Sequence, residues 1–363
     1  MEIVKPTLLL DKERCLENIK KMAEKAQKAN VRFRPHFKTH QSAEIGSWFR
    51  NYGVDSITVS SIIMANLFVE SGWKDITVAF PVNIREIDHI NALAGQIQLN
   101  LTFVMPETVK LLDRKLIDPI NAYIKIDTGY HRTGILAEDI DEIDNLIKTM
   151  ESSKRIRFKG FLTHDGHTYK ARSKAEILGI NKKSLKMLTQ LKEHFQTRNR
   201  NITISIGDTP SCSIVDNFDG IDEFRPGNFV FYDLMQWQLG SCKPTQIALA
   251  MACPVVAKHS QRQEIIIYGG AVQFSKDFIL DQNGERLYGY AVEMKNERLG
   301  KMIQDIRLKA ISQEHGILKT NEEQFENIKI GDLVYILPVH SCLTANLYSG
   351  YLTLTNDFIK KMW

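Results

Sequence analysis

The stretch Val31–Gln41, VRFRPHFKTHQ, sets Arg32, Arg34, His36, Lys38 and His40 within eleven residues. Like charges crowded around a lysine disfavour its ammonium form, and a neutral amine can attack a carbonyl to form a Schiff base. In an extended segment Arg34, His36, Lys38 and His40 share one face, and Pro35, Phe37 and Thr39 the other. Taken alone, the stretch leaves a second reading open, a solvated basic strand end.

Four further segments carry chemistry-bearing residues. In KIDTGYHRTG, Lys125–Gly134, a strand ends in Asp127 and two glycines bracket Arg132. Glycines let the backbone turn sharply towards a ligand, and the arginine suits a carboxylate, phosphate or phenolate. THDGHTY, Thr163–Tyr169, offers His164, Asp165, His167 and Tyr169 as metal ligands, acid–base groups or ring contacts, at a spacing that matches no standard metal motif. SIGDTPSCS and RPGNFVFYD offer the hydroxyls of Thr209 and Ser211 and the backbone N–H groups of Gly207, Gly227 and Asn228. ILPVHSCLTANL sets His340 and Cys342 two apart, on one side of a strand, where imidazole and thiolate can hold zinc with open positions. Each also has a plain reading: a surface arginine, a polar loop, turn chemistry, a buried His and Cys.

The elements that must position these groups follow from hydrophobic periodicity. Candidate strands lie at 31–36, 56–61, 75–80, 97–103, 121–127, 157–164, 202–208 and 223–229, with amphipathic helical stretches between them. This alternation predicts an α/β fold with an N-terminal (β/α)8 TIM-like barrel; a doubly wound open sheet is the alternative, because periodicity does not show closure. Such barrels keep their chemistry at the C-terminal strand ends and their phosphate sites after the last two strands, which is where these motifs fall. Beyond residue 240 short β runs separated by turn residues predict a C-terminal β-rich domain. The expected division is 1–238 and 239–363, with residues 1–10 free to join the β domain.

Composition narrows the function classes. The 363 residues carry 47 basic and 43 acidic side chains, a net charge of +4, which gives no reason to expect nucleic acid or a membrane surface. No apolar run approaches the ~20 residues of a membrane span, and MEIVKPTLLLDKERC lacks the apolar core and cleavage site of a signal peptide. The five cysteines form no CxxC pair and read as reduced thiols, so a cytoplasmic location is expected.

In order along the chain, RPHFKTH, KIDTGYHRTG, GDTPS, RPGNFVFYD and PVHSC resemble the pyridoxal-phosphate enzymes of the alanine racemase fold type (fold type III). More narrowly they resemble its D-serine dehydratase and D-threonine aldolase branch. The motifs run from about residue 34 to 346. The resemblance implies a barrel with a C-terminal β domain, a homodimer, and pyridoxal 5′-phosphate held on Lys38. Thr209, Gly227 and Asn228 would lie near its phosphate, and Arg132 and Tyr169 beside its ring. His340 and Cys342 would bind a divalent metal, zinc by the softness of the thiolate.

The His-x-Cys pair and HDGHTY resemble the dehydratase side of that branch, which implies a lyase that dehydrates β-hydroxy D-amino acids such as D-serine or D-threonine to a 2-oxo acid and ammonia. The alternative is retro-aldol cleavage of the D-threonine aldolase type, with His164 or His167 as base. A racemase or a non-catalytic cofactor carrier fits less well. Tyr268 stands where the resemblance leads one to expect an acidic residue.

Overall fold

Eight short strands form one parallel sheet: Arg32–Phe33, Ser56–Val59, Asp75–Pro81, Gln98–Phe103, Ile120–Asp127, Ile156–Leu162, Thr203–Ile206 and Glu223–Phe224. The computed structural model describes residues 2–196 and 201–362. From the second strand to the eighth each pairs with the next, and the eighth pairs with the first. An isolated parallel bridge, His36 to Thr58, spans the remaining gap. The sheet is therefore a TIM-like barrel and not the open alternative.

The strands are buried on both faces but apolar on only one: in Ser56–Val59, buried throughout, Ile57 and Val59 alternate with Ser56 and Thr58, and Thr77, Asn100 and Thr102 are buried polar residues of the next two strands. The intervening helices bury one stripe, as Ile140–Glu151 does with Ile143, Leu146, Ile147 and Met150.

Among the buried side chains is a charged lattice. Arg34 is fully buried, its Nε donating to Glu223 at 2.9 Å and its two Nη atoms to the Asp75 carboxylate at 2.7 and 3.0 Å. Tyr123 donates its hydroxyl to the other Glu223 oxygen at 3.1 Å. A buried guanidinium is tolerable only with such pairing. Arg34 thus ties the first strand to the third and eighth.

The chain divides into two units. Lys21–Lys38 and Phe49–Gly227 make up the barrel unit; Thr39–Trp48 belongs with the described residues up to Lys20 and from Asn228 onward. In this second unit Leu249–His259 pairs with Glu264–Tyr268, and the sheet continues through His315–Lys319, Arg298–Ile311, Gly289–Lys295 and Leu333–Pro338 back to Leu249–His259. This is a closed antiparallel barrel, which leaves few exposed edges. Thr7–Leu10 adds antiparallel to Leu249–His259 and parallel to Gly350–Thr353. The β-rich C-terminal texture of the sequence is present in these strands.

Candidate functional site

Lys38 does not continue an extended strand. The first barrel strand ends at Phe33, and residues 37–40 form a turn, so the alternation of faces expected as far as His40 stops at the His36 bridge. The cause is Phe37. It is fully buried against Phe49, Phe68 and Trp73, with ring centroids 4.9, 5.0 and 5.2 Å away, and its backbone N–H donates to Thr58 O at 2.9 Å. With its neighbour fixed inward, Lys38 is held exposed at the strand's C-terminal end. His36 Nδ1 accepts from the Lys38 backbone N–H at 3.4 Å, as a neutral imidazole must. Burial and the charges of Lys38, Arg225, His164 and Lys125 hold the His36 pKa well below the usual imidazole value.

Cationic groups converge at this end of the barrel. Lys125, 4% exposed on the fifth strand, is lowered to about 7 by burial, then by Arg225, Arg132 and Lys38. Arg225, just past the eighth strand, is lowered to about 10 by burial and donates its Nε to Ser205 Oγ at 2.6 Å. His164 follows the sixth strand; its Nδ1 hydrogen-bonds Gly207 O, so Nδ1 carries the proton and Nε2 keeps its lone pair. Burial and the charges of Lys38, Lys125 and Arg132 keep it neutral.

Tyr130 packs among the predicted residues. Its ring stacks on His167 at 6.3 Å, meets His164 edge-on at 6.1 Å and carries the Arg132 guanidinium at 4.9 Å. Gly166 makes room for it: a Cβ there would lie 2.3 Å from the ring. Asp127 Oδ1 shapes the loop that presents Arg132 by accepting from the backbone N–H groups of Gly129 and His131 at 2.9 and 3.1 Å. Gly134 closes that loop at φ +130, where a Cβ would be 2.8 Å from the Asp127 nitrogen. Tyr169 contacts the His164 ring at 6.3 Å.

After the seventh strand, Asp208 caps the short helix Thr209–Ile214 by accepting from Ser211 N–H at 2.6 Å. The hydroxyls of Thr209 and Ser211 are buried without a hydrogen-bond partner. Orphaned buried hydroxyls are costly unless a ligand supplies acceptors, so the loop fits a phosphate. Gly227 is the half-buried last residue of the barrel unit.

The second unit holds Asn228, His340 and Cys342. The strand Leu333–Pro338 stops short of His340, which caps the helix Ser341–Asn346. The pair therefore meets across a helix start and not through strand parity, the Cys342 side chain hydrogen-bonding His340. His340 Nδ1 lies 2.5 Å from Asp277 Oδ2, which leaves Nε2 for a metal. The Cys342 sulfur lies 3.4 Å from Thr39 Oγ1 and 3.5 Å from Asn228 Nδ2. Asn228 Nδ2 also donates to Asp233 at 2.6 Å and Ser341 at 3.1 Å, so that amide N–H2 faces the His340–Cys342 side. Among the described residues no three His, Cys, Asp or Glu side chains gather for a metal. The donor pair fits an ion that keeps open positions, and its N/S chemistry fits zinc.

Residues 10–234 match the family model "Alanine racemase, N-terminal domain". The chain belongs to that family. Residues 248–354 match "Putative serine dehydratase domain". The chain is 29% identical to a D-serine dehydratase of Dictyostelium discoideum, over 94% of this chain and 90% of that one. It is 26% identical to a D-threo-3-hydroxyaspartate dehydratase of Delftia sp. (strain HT23), over 99% and 96%. The solved structure of a D-threo-3-hydroxyaspartate dehydratase from Delftia sp. HT23 shares the fold with a TM-score of 0.90 at 24% identity, covering 99% of this chain and 98% of that one. A D-threonine aldolase from Filomicrobium marinum does so at 0.85 and 17%, covering 99% and 97%.

Lys125, Arg225, Tyr130 and Asp277 are not among the site residues expected from the sequence, and His36 was expected only as a neighbour of Lys38. Strand parity carried the signal for Lys125, since Tyr123, Lys125 and Asp127 share a face of the fifth strand.

Proposed function

We propose that this chain is a pyridoxal-phosphate- and zinc-dependent lyase that dehydrates β-hydroxy D-amino acids, D-serine or D-threonine first, to a 2-oxo acid and ammonia. Bound pyridoxal phosphate supplies an electron sink for charge at the substrate Cα, and bound zinc supplies Lewis acidity for a departing hydroxyl. Lys38 is the attachment point of the cofactor and moves the α-proton. Thr209, with the backbone of Gly227 and Asn228, holds the phosphate, the orphaned hydroxyls being the support. Arg132 and Tyr169 line the ring, with Arg132 carried on the Tyr130 face. His340 and Cys342 hold the metal. His164, neutral with a free Nε2, receives or returns a proton.

The observation that carries this reading is the donor pair His340–Cys342, with Asp277 fixing the imidazole. A leaving hydroxide needs an acid, and neither racemisation nor cofactor carriage does. Retro-aldol cleavage is the second reading, favoured by the buried, unpartnered Nδ1 of His167, which could accept a hydroxyl proton. Incubation with D-serine and D-threonine separates the readings. Pyruvate and 2-oxobutanoate are expected; glycine with an aldehyde would replace dehydration with cleavage, and L-amino acid would replace both with racemisation.

A homodimer is part of the proposal, supported by the exposed apolar side chains Ile63, Phe80 and Met105 of the barrel unit. So is a cytoplasmic location, supported by five free cysteines. Among the described residues no helix is long and apolar enough to cross a membrane.

A further inference from the structure

The loops after the fifth, sixth and seventh barrel strands are tied by buried hydroxyls and two carboxyls. Thr163 Oγ1 donates to Ile126 O at 3.0 Å. Thr128 Oγ1 lies 3.1 Å from Thr163 Oγ1 and 2.6 Å from Asp165 Oδ1. Ser184, on the helix Lys174–Gln196, donates to the same Asp165 oxygen at 2.8 Å. Thr168 Oγ1 lies 2.8 Å from Asp165 O and 3.1 Å from Asp208 Oδ1. All of these side chains are buried, Asp165 at 1% exposure.

A hydroxyl has one proton to give. With the Thr163 proton on Ile126 O, the contact between the two threonines, in which either hydroxyl can donate, takes the Thr128 proton. The contact between Thr128 and Asp165 then needs its proton from Asp165. We infer that Asp165 is a neutral carboxylic acid that donates to Thr128 and accepts from Ser184, acting as a positioning residue for the cofactor-facing loops. It stands beside His164, its backbone carbonyl is held by Thr168 next to Tyr169, and Thr168 reaches Asp208, the cap of the helix that carries Thr209 and Ser211.

Electrostatics agree. Burial raises the Asp165 pKa, and the groups facing it from other elements are Lys125, Thr128 and Ser184, with His167 on its own loop. Asp208, with one carboxyl oxygen buried and unpartnered, is pushed up to about 7, chiefly by burial. Two carboxylates so enclosed cannot both ionise cheaply.

The role assigned to the loops rests on the proposed cofactor reading; the protonation does not. Infrared spectra of the purified full-length protein, as isolated, at mildly alkaline pH test it. A protonated-carboxyl C=O band present in the wild type and lost in Asp165→Asn is expected; its absence in the wild type, or its persistence in the variant, overturns the inference. If Asp165→Asn fails to fold, Thr128→Val reports instead, because removing the acceptor shifts the band, and an unshifted band overturns the inference.

Asp165→Asn, whose amide N–H2 replaces the acid O–H as donor, should keep cofactor affinity within about threefold. Asp165→Ala should lose it by tenfold or more. Equal losses in the two variants would overturn the positioning role. Failure of the cofactor reading would instead appear as wild-type protein that binds no pyridoxal phosphate while keeping the infrared band.

Discussion

His340 is useful for the atom it leaves open. Asp277 occupies Nδ1 at 2.5 Å, which orients the ring, aims Nε2 outward and makes that nitrogen a better donor. Asp277→Asn should therefore weaken zinc binding by roughly ten- to a hundredfold, the usual cost of losing such an outer partner. Competition with a chromophoric chelator measures it, and an affinity equal to the wild type's would remove Asp277 from this role. At this scale the sequence offers candidates where residue type alone carries a signal. Lys38, Arg132, His340 and Cys342 stood out by chemistry and order. Asp277 lies 63 positions from its partner, and no local pattern links the two. Lys125 and Arg225 looked ordinary because it takes burial, with Arg225, Arg132 and Lys38 brought close by the fold, to turn a lysine near a strand end into an amine with a pKa of about 7.

Elements were legible in type and less so at their ends, where tertiary contacts decide. The strand-and-helix alternation predicted the parallel barrel, yet parity failed at residues 37–40, where burial of Phe37 bends the chain, and at His340, where a helix begins. The cap of the helix Thr209–Ile214 also ties stability to pH. Asp208 rises from the ordinary carboxylate value to about 7. The folded protein therefore binds more protons than the unfolded chain across that window, and this contribution falls as pH rises through it, then levels off. His36 and His164 act in the opposite sense. Their lowered values add stability as pH rises to the ordinary imidazole value. Denaturant unfolding of wild type and Asp208→Asn at stepped pH isolates the first effect. The wild type should lose stability relative to the variant between the two values, by at most on the order of 4 kcal/mol. A pH-independent difference would mean that Asp208 does not titrate there.

For the whole molecule, the proposed residues divide between the units: the metal pair lies in one, and the cofactor set, Asn228 excepted, in the other. Lys38, Arg132, His164, Tyr169 and Thr209 belong to the barrel unit, and Asn228, His340 and Cys342 to the second. The assignment of Thr39–Trp48 to the second unit was hidden from periodicity. It rests on distant partners: Thr39 with Cys342, Gln41 with Asn346 at 3.1 Å, and the His40 carbonyl with the Tyr351 hydroxyl at 2.8 Å. If dehydration needs the proposed metal pair as well as Lys38, while covalent attachment of the cofactor needs Lys38, the two are separable by chemistry. Chelation of the purified enzyme should lower 2-oxo acid formation from D-serine by roughly a hundredfold or more, because a Lewis acid contributes several kcal/mol at the departing oxygen. The visible absorbance of the bound cofactor should persist, since Lys38, the proposed attachment residue, lies in the other unit. Lys38→Ala should do the reverse, removing the absorbance while the zinc content assigned to the proposed His340–Cys342 pair is retained. Chelated protein that still turns over at the wild-type rate would remove the metal from the reaction, and a Lys38→Ala variant that sheds zinc together with the absorbance would show that the metal pair and the cofactor set depend on one another for their assembly.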